Sequence, residues 1–143
     1  MRLKEILDTK GSQVWSVKSS QNVGDALKVL VENRIGALLV FDKTQRIVGI
    51  LSERDIMREC YKNRKEWDQA LVSEVMTKKV IISAVDDRVD YIMGIMTQNR
   101  IRHIPVMEGE KLIGIISIGD VVKAQLSDSQ YENHYLKEYL SGS

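Results

Sequence analysis

The sequence has little of several features that mark specialised classes of protein. Its 143 residues include one cysteine, Cys60, and one proline, Pro105. A lone cysteine forms no intrachain disulfide, and the two histidines have no acidic or thiol neighbours at zinc-ligand spacing. A lone proline excludes a proline-rich linker. We therefore expect a compact protein of a reducing compartment that needs no metal.

An excess of charge of one sign is also missing. The chain has 21 Lys and Arg against 20 Asp and Glu, a net charge of +1, so no overall basic field attracts a polyanion. The longest apolar run, residues 35–41, is far shorter than the roughly 20 residues of a membrane helix. Charges also interrupt residues 1–11, where a secretory signal would be apolar. We predict a cytoplasmic protein that binds neither nucleic acid nor membrane.

What the sequence does contain is an internal repeat. Residues 49–55 read GILSERD and residues 114–120 read GIISIGD, so the pattern G-I-x-S-x-x-D occurs twice, 65 positions apart. Upstream, Asn-Arg-Ile occurs at 33–35 and again at 99–101, now 66 positions apart. The one-residue difference falls in two predicted hairpin turns, residues 42–45 and 108–110, where length changes are tolerated.

Hydrophobic periodicity gives each copy the same order of elements. Short β-branched runs at 14–17 and 80–83 predict first strands, and pairs of apolar runs at 37–41 with 47–51 and at 103–107 with 112–116 predict two more strands per copy. Apolar residues at helical spacing between them predict an amphipathic helix, N-capped by Asn22 in one copy and by Asp86 or Asp87 in the other. A second helix starts at each motif serine.

The predicted fold is therefore α/β (α+β), with two pseudo-symmetric β-α-β-β-α units. A unit of about 50 residues buries too little surface alone, so we expect the two to pack together through their sheets. The first unit spans residues 10–65 and the second 75–126, with an extra helix at each terminus. The C-terminal helix, residues 127–143, has a capping box at Ser129–Glu132 and a tyrosine-rich apolar face.

The Ser-x-x-Asp step of the motif has two readings. A helix N-terminus with a serine suits a phosphate, and an aspartate one turn later can accept two ribose hydroxyls. Alternatively, serine and aspartate satisfy backbone amides as a capping box and bind nothing. Two copies at the same position, each after a glycine that would let a ligand approach the backbone, favour binding for at least one copy. Arg54, Arg102 and His103 are candidate phosphate partners. A solvated charge is the alternative for the arginines, which the position of Arg54 inside the motif disfavours, and a hydrogen-bonded strand histidine is an equal alternative for His103.

The doubled motif resembles that of a cystathionine-β-synthase (CBS) domain pair, or Bateman module, over residues 10–126. Further matching segments are Glu74–Thr77, Ile101–Val106 and Ile35–Val40. The chain is similar in particular to the stand-alone two-copy members of this family, which carry no catalytic domain.

The resemblance implies a cleft between the two units that holds an adenosine-type nucleotide: AMP, ADP, ATP, NAD or S-adenosylmethionine. It places Asp55 and Asp120 on ribose hydroxyls, Ser52 and Ser117 near phosphates, and strand backbone around the adenine. It also implies a homodimer formed through helices. The candidate nucleotide-binding residues are Val14, Ser16, Ala37, Ser52, Arg54, Asp55, Arg102, His103, Ile104, Pro105, Ser117, Gly119 and Asp120.

Three functional classes follow. The leading hypothesis is a non-catalytic regulatory module that senses energy or redox state and relays it to an unidentified partner. The alternative is a protein-interaction scaffold with vestigial clefts, in which the tyrosine-rich C-terminal helix is the working surface. A nucleotide-hydrolysing enzyme is disfavoured, because the sequence has no P-loop or nucleophile elbow and neither motif serine has a visible base.

Overall fold

The computed structural model of the protein describes residues 1–127, which form two compact units. Residues 14–81 make up the first unit, and residues 1–13 join the chain from residue 82 onward in the second unit. The ranges 10–65 and 75–126 for the two repeats stay a prediction. In the structure, the segment that precedes the first repeat belongs to the second unit, and the segment between the two repeats belongs to the first unit. The expected packing of the two units through their sheets stays a prediction.

The elements follow the predicted order in both units. Helix α1 (Leu3–Lys10) opens the chain. The first unit then contains β1 (Ser16–Lys18), α2 (Val23–Asn33), β2 (Ala37–Phe41), β3 (Ile47–Ser52), α3 (Glu53–Lys62), a 3-10 helix (Trp67–Gln69) and α4 (Val72–Val75). The second unit contains β4 (Ser83–Ala84), α5 (Val89–Asn99), β5 (His103–Glu108), β6 (Lys111–Ser117) and α6 (Ile118–Ser127).

Each unit has one three-stranded mixed sheet. β1 pairs in parallel with β2, which pairs antiparallel with β3, and β4, β5 and β6 repeat this arrangement. The first strand of each sheet is shorter and begins later than predicted, because register pairing with the neighbouring strand starts at Ser16 in one sheet and at Ser83 in the other. Both antiparallel pairs shift register at the same place, after Val40 and after Val106.

The helices between the first two strands bury most of their predicted apolar faces, but Val31 of α2, which the helical spacing also assigned to that face, is 67% exposed. α2 buries Val23, Ala26 and Leu30, and α5 buries Val89, Ile92 and Met96, each at intervals of three or four residues. Burial of each of the larger side chains in this set stabilises the folded protein by about 1.5–3 kcal/mol. The cores of the two units are built from these helix faces and the sheet residues they cover.

The repeated Asn-Arg-Ile sequence ends these two helices in the same way. Arg34 and Arg100 adopt the left-handed conformation, with φ of 53° and 54°. The preceding Asn33 and Asn99 side chains donate to the carbonyls of Val29 and Ile95, at 2.8 and 2.9 Å. The Arg34 and Arg100 amides donate to carbonyls of the last turn, Leu30 and Val31 in α2 and Met96 and Thr97 in α5, which would otherwise lack a partner within the helix.

One of the two predicted N-caps is confirmed and the other is wrong. The Asn22 side chain accepts the amide of Asp25 at 2.8 Å. α5 begins at Val89, so its N-cap position falls on Arg88, which makes no side-chain cap bond. Asp87 is one residue too early for capping, and its carboxylate instead accepts the amide of Ala84 at 2.8 Å.

The segments that lead into α1 and α4 attach to their units by matching backbone hydrogen bonds. The amide of Leu3 donates to Asp87 at 3.0 Å in the second unit, and the amide of Val72 donates to Gln21 at 2.8 Å in the first. Leu3 and Val72 are both fully buried. α1 therefore completes the second unit in the way that α4 completes the first.

The predicted C-terminal helix lies outside the described residues. The description of α6 extends to Ser127, and the predicted capping box at Ser129–Glu132 and the tyrosine face fall beyond that residue.

Candidate functional site

Both copies of the G-I-x-S-x-x-D motif lie where the last strand of a sheet enters a helix. At the first junction, between β3 and α3, the Ser52 hydroxyl accepts the Asp55 amide at 3.2 Å, and the Asp55 carboxylate accepts the Ser52 amide at 2.9 Å. At the second junction, between β6 and α6, Ser117 and Asp120 make the same pair of bonds at 3.1 and 2.8 Å. Both junctions are therefore capping boxes. A carboxylate has about four acceptor sites, so capping does not use up either aspartate.

The strand beside each motif presents different side chains to the two junctions. Ala37 pairs in register with Ser52, and His103 takes the same place opposite Ser117. The amide of Glu53 donates to Gly36, as the amide of Ile118 donates to Arg102. Arg102 and His103 thus stand beside the second junction, where the first has Gly36 and Ala37.

The glycine that opens each motif has a different role from the one expected. A Cβ on Gly49 would collide with the Met76 side chain and lie 3.0 Å from the Thr77 carbonyl. A Cβ on Gly114 would lie 2.6 Å from Leu7. Each glycine therefore admits a side chain from α1 or from the stretch after α4. The expectation that these glycines let a ligand approach the backbone is wrong on this point, because the protein's own residues fill that space.

At the first junction, the aspartate is enclosed. Asp55 is 8% exposed, and its Oδ2 also accepts the Ser52 hydroxyl at 3.1 Å. The Thr77 hydroxyl lies 3.2 and 3.4 Å from the two carboxylate oxygens, and the Arg58 guanidinium lies 3.7 Å from Oδ1. Protein groups therefore surround both oxygens of Asp55.

At the second junction, a lysine replaces this threonine. Lys10, the last residue of α1, donates from Nζ to Asp120 Oδ2 at 2.6 Å and to the Ile115 carbonyl at 2.7 Å. The Asp120 side chain is 23% exposed, and within residues 1–127 its Oδ1 accepts no hydrogen bond. Asp120 is thus the more accessible of the two motif carboxylates.

The pKa of Asp120 reflects these contacts. Partial burial by itself would raise the pKa, but the hydrogen bonds from Lys10 and from the Ser117 amide outweigh this effect. The net result is a pKa below the ordinary aspartate value. Asp120 is therefore ionised at neutral pH and can accept hydrogen bonds from a ligand's hydroxyl groups.

A cavity of about 430 Å³ lies beside Asp120 within the second unit. α1 and α6 form its walls, and its polar lining includes Lys10, Lys123, Thr9 and Glu5 together with Asp120. This volume lies within the range of roughly 300–1,000 Å³ that is usual for small-molecule sites. The cavity lining thus combines two acidic residues, Asp120 and Glu5, with two lysines, Lys10 and Lys123.

The remaining predicted residues lie at different depths. Val14 is half-buried and precedes β1, and Ser16 is exposed at the start of that strand. Ile104 is fully buried in the core of the second unit, and the Pro105 carbonyl accepts the buried Ser83 hydroxyl at 2.9 Å. The positions Arg54 and Gly119, which correspond in the two motifs, are both exposed in the first turn of their helices.

The sequence interpretation assigned no role at the site to Lys10, Lys123 or Thr77, although Thr77 lies in one of the segments that match the family. The sequence did contain a signal for Lys10 and Thr77, because the repeat extends into the flanking segments, where the two copies are 69 positions apart instead of 65 or 66. Residues 3–7, LKEIL, match residues 72–76, VSEVM, 69 positions apart. That match places α1 and α4 in equivalent positions, and with them the residues that follow. Lys123 lies in α6 outside the repeated motif, so no sequence pattern pointed to it.

Two further features are absent from the described part of the chain, residues 1–127. No helix in this range is long and apolar enough to cross a membrane. No group of three or more histidine, cysteine, aspartate or glutamate side chains in this range is arranged to hold a metal ion.

Comparison with known proteins gives a consistent result. The family model of the CBS domain matches the chain twice, over residues 3–62 and 72–127. Both matches begin at the equivalent residues Leu3 and Val72, so they include α1 and α4. Among solved structures, a CBS-domain containing protein from Agrobacterium tumefaciens is 40% identical, with a TM-score of 0.84, over 87% of this chain and 92% of that chain.

Two more distant similarities come from larger proteins. The hexameric CBS-CP12 protein of bloom-forming cyanobacteria is 28% identical, with a TM-score of 0.75, over 85% of this chain and 69% of that one. The mitochondrial CBS domain-containing protein CBSX3 of Arabidopsis thaliana is 35% identical over 92% of this chain. The chain spans 66% of the length of that plant relative.

Proposed function

The chain belongs to the CBS-domain family, and from this premise we propose that it is a non-catalytic regulatory module that binds an adenine nucleotide. The proposed ligands are AMP, ADP, ATP and NAD. Binding changes the packing of the pair of units, and a partner protein responds to that change. A location in the cytoplasm is part of the proposal, since the single Cys60 is a free thiol.

The observation that carries the proposal is the second junction. Asp120 is ionised, partly exposed and beside a cavity, so it can accept the hydroxyls of a ribose. Two lysines on the same cavity can pair with phosphate oxygens through charge-assisted hydrogen bonds. A capping box alone requires neither the cavity nor the lysines.

Isothermal titration calorimetry of the purified chain with AMP, ADP, ATP and NAD tests nucleotide binding. We expect saturable heat with at least one of them, and GMP serves as the matched control for recognition of the base. Absence of heat with all four ligands at millimolar concentration overturns the proposal. Incubation with ATP followed by chromatography tests the non-catalytic part, which fails if products accumulate.

Homodimer formation through the helices is part of the same proposal. Val31 on α2 and Met57 and Tyr61 on α3 are large side chains with apolar surface that are 67%, 65% and 73% exposed. On α5 and α6, Tyr91 and Val122 are also exposed. The cyanobacterial relative named above is hexameric. Light scattering of the purified chain should give twice the monomer mass, and a monomer at micromolar concentration contradicts this part.

A further inference from the structure

The two motif aspartates differ in what they can still accept. In the first unit, Asp55 is 8% exposed, and its oxygens already receive the Ser52 amide and the Ser52 and Thr77 hydroxyls. A ribose would have to displace buried protein hydrogen bonds, which costs free energy because the displaced donors lose their partner. In the second unit, Asp120 Oδ2 receives the Ser117 amide and Lys10, while Oδ1 accepts nothing within residues 1–127.

Lys10 is placed to act on a ligand at the second junction. An ammonium group has three N–H donors, and Lys10 uses two of them for Asp120 and the Ile115 carbonyl. Its side chain is 36% exposed and lines the cavity together with Lys123. The bonds to Asp120 and Ile115 hold the ammonium group in place, so it can meet a phosphate without first being ordered.

We infer that the chain binds one nucleotide, at the second junction, with its ribose on Asp120 and its phosphate on Lys10 and Lys123. The first junction is a structural counterpart in which Thr77 takes the place of the ligand-binding lysine. This inference rests on the proposed function and names which of the two junctions performs it. Lys10 and Lys123 are phosphate-binding residues in this assignment.

Calorimetry on matched variants tests the inference, with AMP, ATP and adenosine as the titrants. We expect one nucleotide per chain in the unaltered protein. Asp120→Asn and Lys10→Met should each weaken nucleotide binding by roughly 10- to 100-fold, the usual effect of losing a hydrogen bond to a charged group. Asp55→Asn should leave the affinity unchanged. Lys4→Met is the control for Lys10, since Lys4 is an exposed lysine of the same helix.

Adenosine separates phosphate binding from a merely structural effect of Lys10. If Lys10 holds the phosphate, Lys10→Met weakens AMP binding and leaves adenosine binding unchanged. An equal loss for both ligands overturns that assignment. If Asp55→Asn proves too unstable to purify, Thr77→Val removes the hydroxyl donor of the first junction and leaves the carboxylate in place, with the same expected affinity.

Several results overturn the inference while leaving the proposed function intact. Two nucleotides per chain would do so, as would a loss of binding in Asp55→Asn or Thr77→Val that equals the loss in Asp120→Asn. If neither AMP nor ATP binds the unaltered chain, and ADP and NAD also give no heat, the proposed function itself fails. The two failures are therefore distinguishable in one set of titrations.

Discussion

The two units of this protein have the same strand order and pairing, but different side chains contact their motif aspartates. In the first unit, the amide of Thr77 donates to the Ile50 carbonyl at 2.9 Å, and the amide of Ile50 donates to the Thr77 carbonyl at 3.0 Å. In the second, Lys10 Nζ donates to the Ile115 carbonyl, which holds the equivalent position in the motif. A backbone donor in one unit is thus replaced by a charged side chain in the other.

This replacement follows from the lengths of two equivalent helices. α4 ends at Val75, so Thr77 lies in extended chain that bridges to Ile50. α1 continues to Lys10, and only the end of this longer helix reaches the second junction. Equal topology therefore does not imply equal sites, because the atoms at each site come from segments whose lengths and side chains have diverged.

Truncating the fully buried residue at the start of α1 or α4 should give the largest change in the free energy of unfolding. Leu3 is fully buried, so Leu3→Ala should lower the free energy of unfolding by about 2–5 kcal/mol. Val72 is equally buried but smaller, so Val72→Ala should cost about 2 kcal/mol. Urea denaturation measures both, with Lys4→Ala as the exposed control on α1. A change below 1 kcal/mol for Leu3→Ala would show that α1 does not stabilise the second unit.

The two motif aspartates should differ in stability as they do in exposure. Asp55→Asn places an amide group against the Ser52 and Thr77 donors in a buried site, and we expect a loss of about 1–3 kcal/mol. Asp120→Asn alters a more exposed site and should cost about 1 kcal/mol or less. Thermal or urea unfolding of the two variants gives the comparison. The reverse order would contradict the view that the first junction is the structural one.

Acid titration should give the smallest effect and should separate Asp120 from the other acids. Its folded pKa lies below the ordinary value of 3.8, so its ionised form stabilises the protein above that pH, and the contribution is lost as pH falls through the folded pKa. The stability difference between unaltered protein and Asp120→Asn should be constant between about pH 5 and 7 and shrink below about pH 3.8. Asp42 and Asp90, whose pKa values are also lowered, are present in both proteins and cancel. A difference that grows on acidification would show the wrong sign.

Much of the fold was predictable because it depends on local pattern. The order of strands and helices, the equivalent hairpin turns and the Asn22 cap follow from periodicity and from residues that interact within a few positions of one another. The second N-cap was mispredicted because two adjacent aspartates precede α5 and the helix starts after a third residue, Arg88. A one-residue shift in where a helix begins is decided by the contacts of the whole turn.

The site was predictable only in part. The sequence located Ser52, Asp55, Ser117 and Asp120 at the two strand-to-helix junctions, which the structure confirms as positions in the fold. It gave no reason to rank one junction above the other. It also assigned the motif glycines to ligand access, whereas Met76 and Leu7 occupy that space.

The sequence by itself determined the doubled unit and the placement of its motifs, because hydrophobic period and local capping act over a few residues. Only the tertiary structure decided that Thr77 closes one junction and Lys10 lines the other. Lys10 and Asp120 are 110 positions apart in the chain, and a contact of that range depends on how α1 packs against the second unit. No local pattern specifies such a contact, since it is fixed by the burial of Leu3, Ile6 and Leu7 in a core that the rest of the unit supplies.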